Sequence, residues 1–309
     1  MASGYETLFV TRDGETCRRE HGQRIRMCPS CRTVIVKSDI ADKLLRFGFA
    51  DPDALASSSL VCGWISGGRT RHALIEAEGE QYVLKSYRRG GALGFLNSNR
   101  YWNYRRFLQE LEVAAAAQES GVSTAELLGL VLEPAGYGSI RAWMMSRYLP
   151  RVQPLYRFFG HERESGVFRT AGELVARMHE AGIDHPDLHL GNIVGVVDGD
   201  QPRAYMLDWD RAVRRDPGTW DYDNLLRLWR SVQKARKQGR LASTETGAAE
   251  NNGNHGASIE GMFESPPALK AFMEGYMSER PANLGAVRDY FKRRALIFKL
   301  RTLFWRSEY

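Results

Sequence analysis

The stretch of this 309-residue chain whose residue types and spacing could do chemistry runs from His185 to Asp210, HPDLHLGNIVGVVDGDQPRAYMLDWD. Asp187 and Asn192 stand five positions apart in it, after a His-Pro-Asp-Leu opening. That is the spacing of a loop in which the Asp orients a hydroxyl and the Asn holds magnesium. Two short apolar runs follow, Val194 to Val197 and Ala204 to Leu207, separated by Asp198, Gly199, Asp200 and Pro202. They predict a hairpin that returns Asp208 beside Asp187 and Asn192 as a second metal-binding carboxylate. Oxygen-bearing side chains gathered in this way suit magnesium, a hard cation that keeps several waters and bridges substrate phosphates. Each residue alone would be an ordinary turn former. The order His185, Asp187, Asn192, Asp208 points instead to phosphoryl transfer.

These residues need elements to position them. Val167, Ala171, Leu174 and Met178 recur at helical spacing up to Gly182, so a buried helix over 167–181 should support the loop. Its apolar residues read as core, and His179 on it receives no role. Farther upstream, residues 60–87 read strand, turn, strand, turn, strand. Gly63, Gly67 and Gly68 could let backbone amides face phosphate oxygens, and Lys85 on the third strand could reach the α- and β-phosphates. The helix-forming run from Tyr101 to Ser120 offers Glu110 and Glu112 as partners for Lys85. The two lie about 200° apart around a helix, so only one can face inward. Glu110 is chosen because Phe107 and Leu111 mark the apolar face. Val122 to Leu132 and Arg141 to Ser146 read as further strands, and Arg147 to Pro150 as a connector whose backbone could grip an adenine ring.

Composition narrows the class. Lys and Arg number 43 against 37 Asp and Glu, a net charge of +6, which favours anionic partners. With no apolar run of 18 residues, and Arg12, Asp13, Glu15, Arg18, Arg19 and Glu20 where a secretory signal would carry its apolar core, a cytoplasmic protein is expected. Four cysteines are too few for a disulfide scaffold at this length. Cys17, His21, Cys28 and Cys31 could close a structural zinc site, although no second C-x2-C pair accompanies them. Arg214 and Arg215 form a basic cluster that could meet an anionic acceptor. Trp220 to Lys237 reads as a helix and Leu241 to Gly261 as a disordered insertion. Residues 288–306 read as a basic amphipathic helix, suited either to membrane contact or to packing.

From Gly63 to Lys237 the chain resembles the Kdo kinases of the lipopolysaccharide kinase family. The segment Tyr82 to Gly91, YVLKSYRRGG, is similar to the family's lysine strand with its Tyr-Arg-Arg-Gly-Gly continuation, and Met206 to Arg211, MLDWDR, to its Asp-Phe-Asp-Arg element. Trp209 replaces the usual Phe, and His189 stands where the family often has Asn. The resemblance implies an α+β, protein-kinase-like, two-lobed fold, with a small antiparallel-sheet N-lobe bearing one helix, expected over 60–148, and a mainly helical C-lobe, expected over 149–309; residues 1–59 are expected to form an N-terminal segment outside that pattern. It further implies ATP and Mg2+ as cofactors, Lys85 and Glu110 as the ATP-positioning pair, Asp187 as the catalytic Asp, and Asn192 and Asp208 as magnesium ligands. The implied reaction phosphorylates a Kdo sugar hydroxyl on an anionic glycolipid at the cytoplasmic face of the inner membrane. The competing readings are a kinase of a protein or small-molecule acceptor, and a non-catalytic nucleic-acid-binding or adaptor protein. The latter is disfavoured by the intact set of Lys85, Asp187, Asn192 and Asp208.

Overall fold

The computed structural model describes residues 4–11, 16–20, 30–67, 70–88, 99–199, 201–237, 267–281 and 285–294. Chain contacts divide it into two units: Met1–Glu119 with Ala125–Pro150 and Trp209–Arg211, and Ser120–Thr124 with Arg151–Asp208 and Ala212–Tyr309.

The first unit is built on one eight-stranded antiparallel sheet. Its strands are β1 (Tyr5–Val10), β2 (Thr16–Glu20), β3 (Arg32–Lys37), β4 (Val61–Gly67), β5 (Thr70–Ala77), β6 (Glu80–Ser86), β7 (Leu127–Pro134) and β8 (Ile140–Arg147), ordered β2-β1-β3-β7-β8-β6-β5-β4. The segment 1–59, expected to stand apart, therefore supplies three strands to the same sheet. It joins through β3, which sets Val34 opposite Val131 and Val36 opposite Gly129 of β7. The strand expected from Val122 begins only at Leu127; the residues just before it run elsewhere, with Ser123 accepting a backbone hydrogen bond from Met206 in the second unit.

Side chains alternate across this sheet. Tyr82 and Leu84 of β6 enter a core with Leu8, Val34, Ile75, Val131, Trp143 and Met145, which is completed by Leu44 and Leu55 from two short helices, α1 (Ala41–Arg46) and α2 (Pro52–Leu55), and by Phe49 between them. Val83 and Lys85 consequently belong to the opposite face. That face meets α3 (Arg105–Glu119), whose Phe107 and Leu111 are buried and whose Phe107 ring packs edge-on to Tyr87 and Tyr101. The helix starts at Arg105 rather than Tyr101. Asn103 Oδ1 accepts from the Arg105 amide, and Tyr101 instead pairs with the backbone of Ile140.

The second unit packs around α4 (Glu164–Glu180), whose Val167, Phe168, Leu174 and Met178 are almost fully buried. Each such side chain contributes roughly 1.5–3 kcal/mol by leaving water. Beside it lie a small sheet of β9 (Gln153–Pro154), β11 (Ile193–Asp198) and β12 (Gln201–Met206), and a two-stranded ladder of β10 (Ile183–Asp184) with β13 (Val213–Arg214). Two further helices are α5 (Trp220–Lys237) and α6 (Pro267–Glu279). Helices α4 and α6 cross at two glycines: a Cβ on Gly172 would sit 1.9 Å from the Phe272 carbonyl oxygen, and one on Gly275 would sit 2.1 Å from that of Arg169. Only glycine permits so close a backbone approach.

The expected insertion at 241–261 lies outside the described residues. Residues 285–294 are helical and bury Val287 and Phe291, with Arg288 and Lys292 exposed, so this part packs against the fold. The remainder of the expected basic helix lies outside the described residues. Among the described residues, no helix is long and apolar enough to cross a membrane.

Candidate active site

In the first unit, β6 and α3 bring Lys85 and Glu110 together. Lys85 Nζ lies 3.1 Å from Glu110 Oε1, the carboxylate being 3% exposed and the lysine 27%. Glu112 points to solvent, as the angular separation of the two glutamates requires. Sequence reasoning quoted Tyr87 without giving it a role. Two residues beyond Lys85 and just past the end of β6, its hydroxyl donates to Glu110 Oε2 at 2.6 Å, and its ring centroid lies 4.7 Å from Lys85 Nζ. A buried carboxylate is thus met by a cation on one oxygen and a hydroxyl on the other. Such pairing is what makes its burial tolerable.

Sequence reasoning also missed the pair that follows one helical turn earlier. Arg106 forks onto Asp210, with Nε 2.7 Å from Oδ1 and Nη2 on Oδ2. The signal was available in part, since Arg106 and Glu110 are an i, i+4 pair on one helix face. Gly63 lies within β4, Gly67 ends that strand, and Gly68 lies outside the described residues.

In the second unit, β10 leads into the loop 185–192 and the β11–β12 hairpin leaves it. Leu188 and Leu190 are buried and pin the loop, and the Leu190 amide donates to Ser231 Oγ of α5 at 3.1 Å. Asp187, immediately before Leu188, is left exposed, with a side-chain relative exposure of 69% and Oδ2 4.0 Å from His189 Nε2. His185 is fully buried, and burial lowers its pKa, which keeps the ring neutral. Asn192 is buried and its Nδ2 donates to the Asp187 carbonyl at 3.0 Å. That bond fixes the amide, because only its nitrogen can donate, and Oδ1 becomes the oxygen it presents. The Asn192 carbonyl then accepts from the Leu207 amide at 2.8 Å, one residue before Asp208. Asp187, Asn192 and Asp208 are therefore joined by two hydrogen bonds through the loop and the hairpin base. Asp208 adopts a left-handed backbone, φ +60°, and Arg211 does so at φ +66°.

This donor set suits magnesium: an amide oxygen and carboxylates, hard ligands too few to enclose the ion without phosphate oxygens and water. Among the described residues there is no cluster of three His, Cys, Asp or Glu side chains of the kind a closed metal cage requires. The zinc ligands expected at the N-terminus fall largely outside the description: His21 and Cys28 lie outside the described residues, and only the backbone of Cys17 is described. Cys31 is half-buried, with Sγ 3.8 Å from Ser30 Oγ. Of the basic cluster, Arg215 is taken up by an ion pair with Asp184 at 2.7 Å.

An antiparallel sheet with a Lys–Glu pair to its helix, and a helix-supported Asp/Asn loop with a following Asp, define a protein-kinase-like phosphotransferase. A solved structure described as WaaP in complex with acyl carrier protein shares the fold, with a TM-score of 0.50 at 17% identity, covering 82% of this chain and 95% of that one. The lipopolysaccharide kinase (Kdo/WaaP) family model matches residues 63–249, and the chain belongs to that family. A 3-deoxy-D-manno-octulosonic acid kinase of Vibrio parahaemolyticus is 28% identical over 189 residues, 60% of this chain and 77% of the relative. One of Xanthomonas oryzae pv. oryzae is 31% identical over 175 residues, 55% and 69% of the two chains.

Proposed function

We propose that this phosphotransferase moves the γ-phosphate of ATP to a hydroxyl of a Kdo (3-deoxy-D-manno-octulosonic acid) sugar on the lipopolysaccharide inner core. The observation that carries the reading is the Lys85–Glu110 ion pair, found in a lipopolysaccharide kinase family chain whose relatives include 3-deoxy-D-manno-octulosonic acid kinases. In this reading 60–148 serves as the nucleotide-holding lobe and 149–309 as the metal- and acceptor-holding lobe. Lys85, kept extended by Glu110 and Tyr87, carries the α- and β-phosphates. Asn192 and Asp208 hold magnesium, which when bound neutralises charge on the transferring phosphates. Asp187 accepts a hydrogen bond from the acceptor hydroxyl and aligns it for in-line attack; its exposure leaves room for a large glycolipid. Most of the rate then comes from positioning and charge stabilisation. The protein works at the cytoplasmic face of the inner membrane, meeting its anionic glycolipid peripherally, with the net charge of +6 favouring that encounter.

The test is mass spectrometry of Kdo-bearing lipid A precursor after incubation with enzyme and magnesium ATP. Addition of one phosphate on Kdo is expected. Transfer to a soluble sugar or a protein in parallel reactions, with none to the precursor, would overturn the acceptor assignment.

A further inference from the structure

The Asp210 carboxylate has no place in the chemistry described above, yet it receives the forked guanidinium of Arg106, 104 residues away in sequence. Its backbone setting explains why that grip matters. The three residues Trp209, Asp210 and Arg211 follow Asp208, and both ends of this short segment are left-handed at non-glycine residues, Asp208 at φ +60° and Arg211 at φ +66°. Such conformations persist only where surrounding contacts over-determine them. Two contacts do so here: Trp209 is buried, 2% exposed, and Asp210 is held through both oxygens. Arginine suits the second task because its planar fork fixes the direction of a carboxylate as well as its distance. The guanidinium is itself seated, with its carbon 5.6 Å from the Tyr101 ring centroid and 5.8 Å from that of Phe107.

The same helix turn carries Glu110. Arg106 and Glu110 project from one face of α3, so a rotation or shift of α3 would break the Arg106–Asp210 and Glu110–Lys85 pairs together. We propose that Arg106 is a positioning residue whose forked grip on Asp210 holds the left-handed turn at Asp208, and with it the magnesium-binding carboxylate. This rests on the proposed role of Asp208. A latch of this kind keeps the Asp208 backbone in its left-handed turn only while Arg106 holds Asp210.

The test is a cycle of Arg106→Ala, Asp210→Ala and the double variant, with Arg106→Lys as the conservative control. Two readouts are needed: steady-state kinetics at varied magnesium, and thermal stabilisation by ATP with and without magnesium, which requires no acceptor. Arg106→Ala is expected to lower kcat by about 10²-fold, the scale of a displaced catalytic group. It should raise the magnesium needed for half-maximal rate and remove the magnesium-dependent part of the ATP stabilisation. The double variant should be no worse than either single one, because each removes the same interaction. Arg106→Lys, which keeps the charge and loses the fork, should recover only part of the loss. Additive losses, or a lower melting temperature with an unchanged magnesium requirement, would overturn the latch. A wild-type protein whose ATP stabilisation is indifferent to magnesium would instead overturn the nucleotide reading on which it rests.

Discussion

Tyr87 Oη donates a 2.6 Å hydrogen bond to Glu110 Oε2, while Lys85 Nζ approaches Oε1 of the same buried carboxylate at 3.1 Å. The glutamate is thus held from both sides by residues two apart in sequence, Lys85 on β6 and Tyr87 just past its end. Tyr87→Phe removes one support without opening a cavity. A hydrogen bond to a charged group is worth about 1.5–3 kcal/mol, so a stability loss of that size is expected by urea unfolding, accompanied by a higher KM for ATP. An unchanged KM would show that Lys85 and Glu110 alone set the geometry.

Asp187→Ala separates chemistry from binding. It should lower kcat by roughly 10²–10⁴-fold, the range for loss of a group that handles the proton. ATP affinity, measured by calorimetry, should stay near wild type, since Asp187 is assigned to the acceptor hydroxyl. Lys85→Ala should do the reverse first, weakening ATP binding. If phosphate transfer survives Asp187→Ala, the assignment of that loop is wrong.

Acid should destabilise the second unit through His179. Its Nδ1 lies 2.9 Å from Tyr276 Oη, and its Nε2 lies 3.3 Å from Asn224 Nδ2, an amide nitrogen that can only donate. The folded ring is therefore neutral with its proton on Nδ1, and burial, aided by Arg280 and His185, pushes its pKa down to about 3. The unfolded ring titrates near 6.5, so between about pH 6.5 and 3 the unfolded chain binds the extra proton. Stability is fully present above that window and declines as pH falls through it, by up to about 1.4 kcal/mol per pH unit. The urea midpoint should fall between pH 7 and pH 5 in the wild type and fall less in His179→Gln. Equal slopes in the two proteins would remove His179 as the cause.

Gly172→Ala tests the crossing of α4 and α6. The new methyl would lie 1.9 Å from the Phe272 carbonyl oxygen, so one helix must move. Overpacking of this kind costs about 1–3 kcal/mol or more, and backbone cannot swing away as a side chain can. Denaturant unfolding should show the loss. A neutral result would mean the two helices are not as closely apposed as described.

Much of this arrangement is readable in the sequence where the controlling forces are local. The hairpin of β11 and β12 follows from two apolar runs around Gly199. The choice of Glu110 follows from helix periodicity, because Phe107 and Leu111 fix which side of α3 turns inward. Three features resist such reading, each because the partners lie far apart in the chain. Nothing near Val34 announces that it will pair with Val131. Nothing near Asp210 announces Arg106. The start of α3 is misjudged at Tyr101 because helix-forming composition does not register the Asn103 side chain capturing the Arg105 amide. Metal ligation by Cys17, His21 and Cys28 falls where the structure describes no side chains.

The pairing of β3 with β7 carries a practical consequence for anyone trimming the protein. The family match begins only at residue 63, which invites expression of the shared portion alone. Such a fragment would turn β7 into an edge strand, with the amides and carbonyls of alternate residues along Gly129–Leu132 left unsatisfied in an apolar stretch well suited to recruit a strand from a neighbouring molecule. The leading sixty residues thus act as a built-in guard against self-association, and their removal should yield inclusion bodies rather than a smaller enzyme.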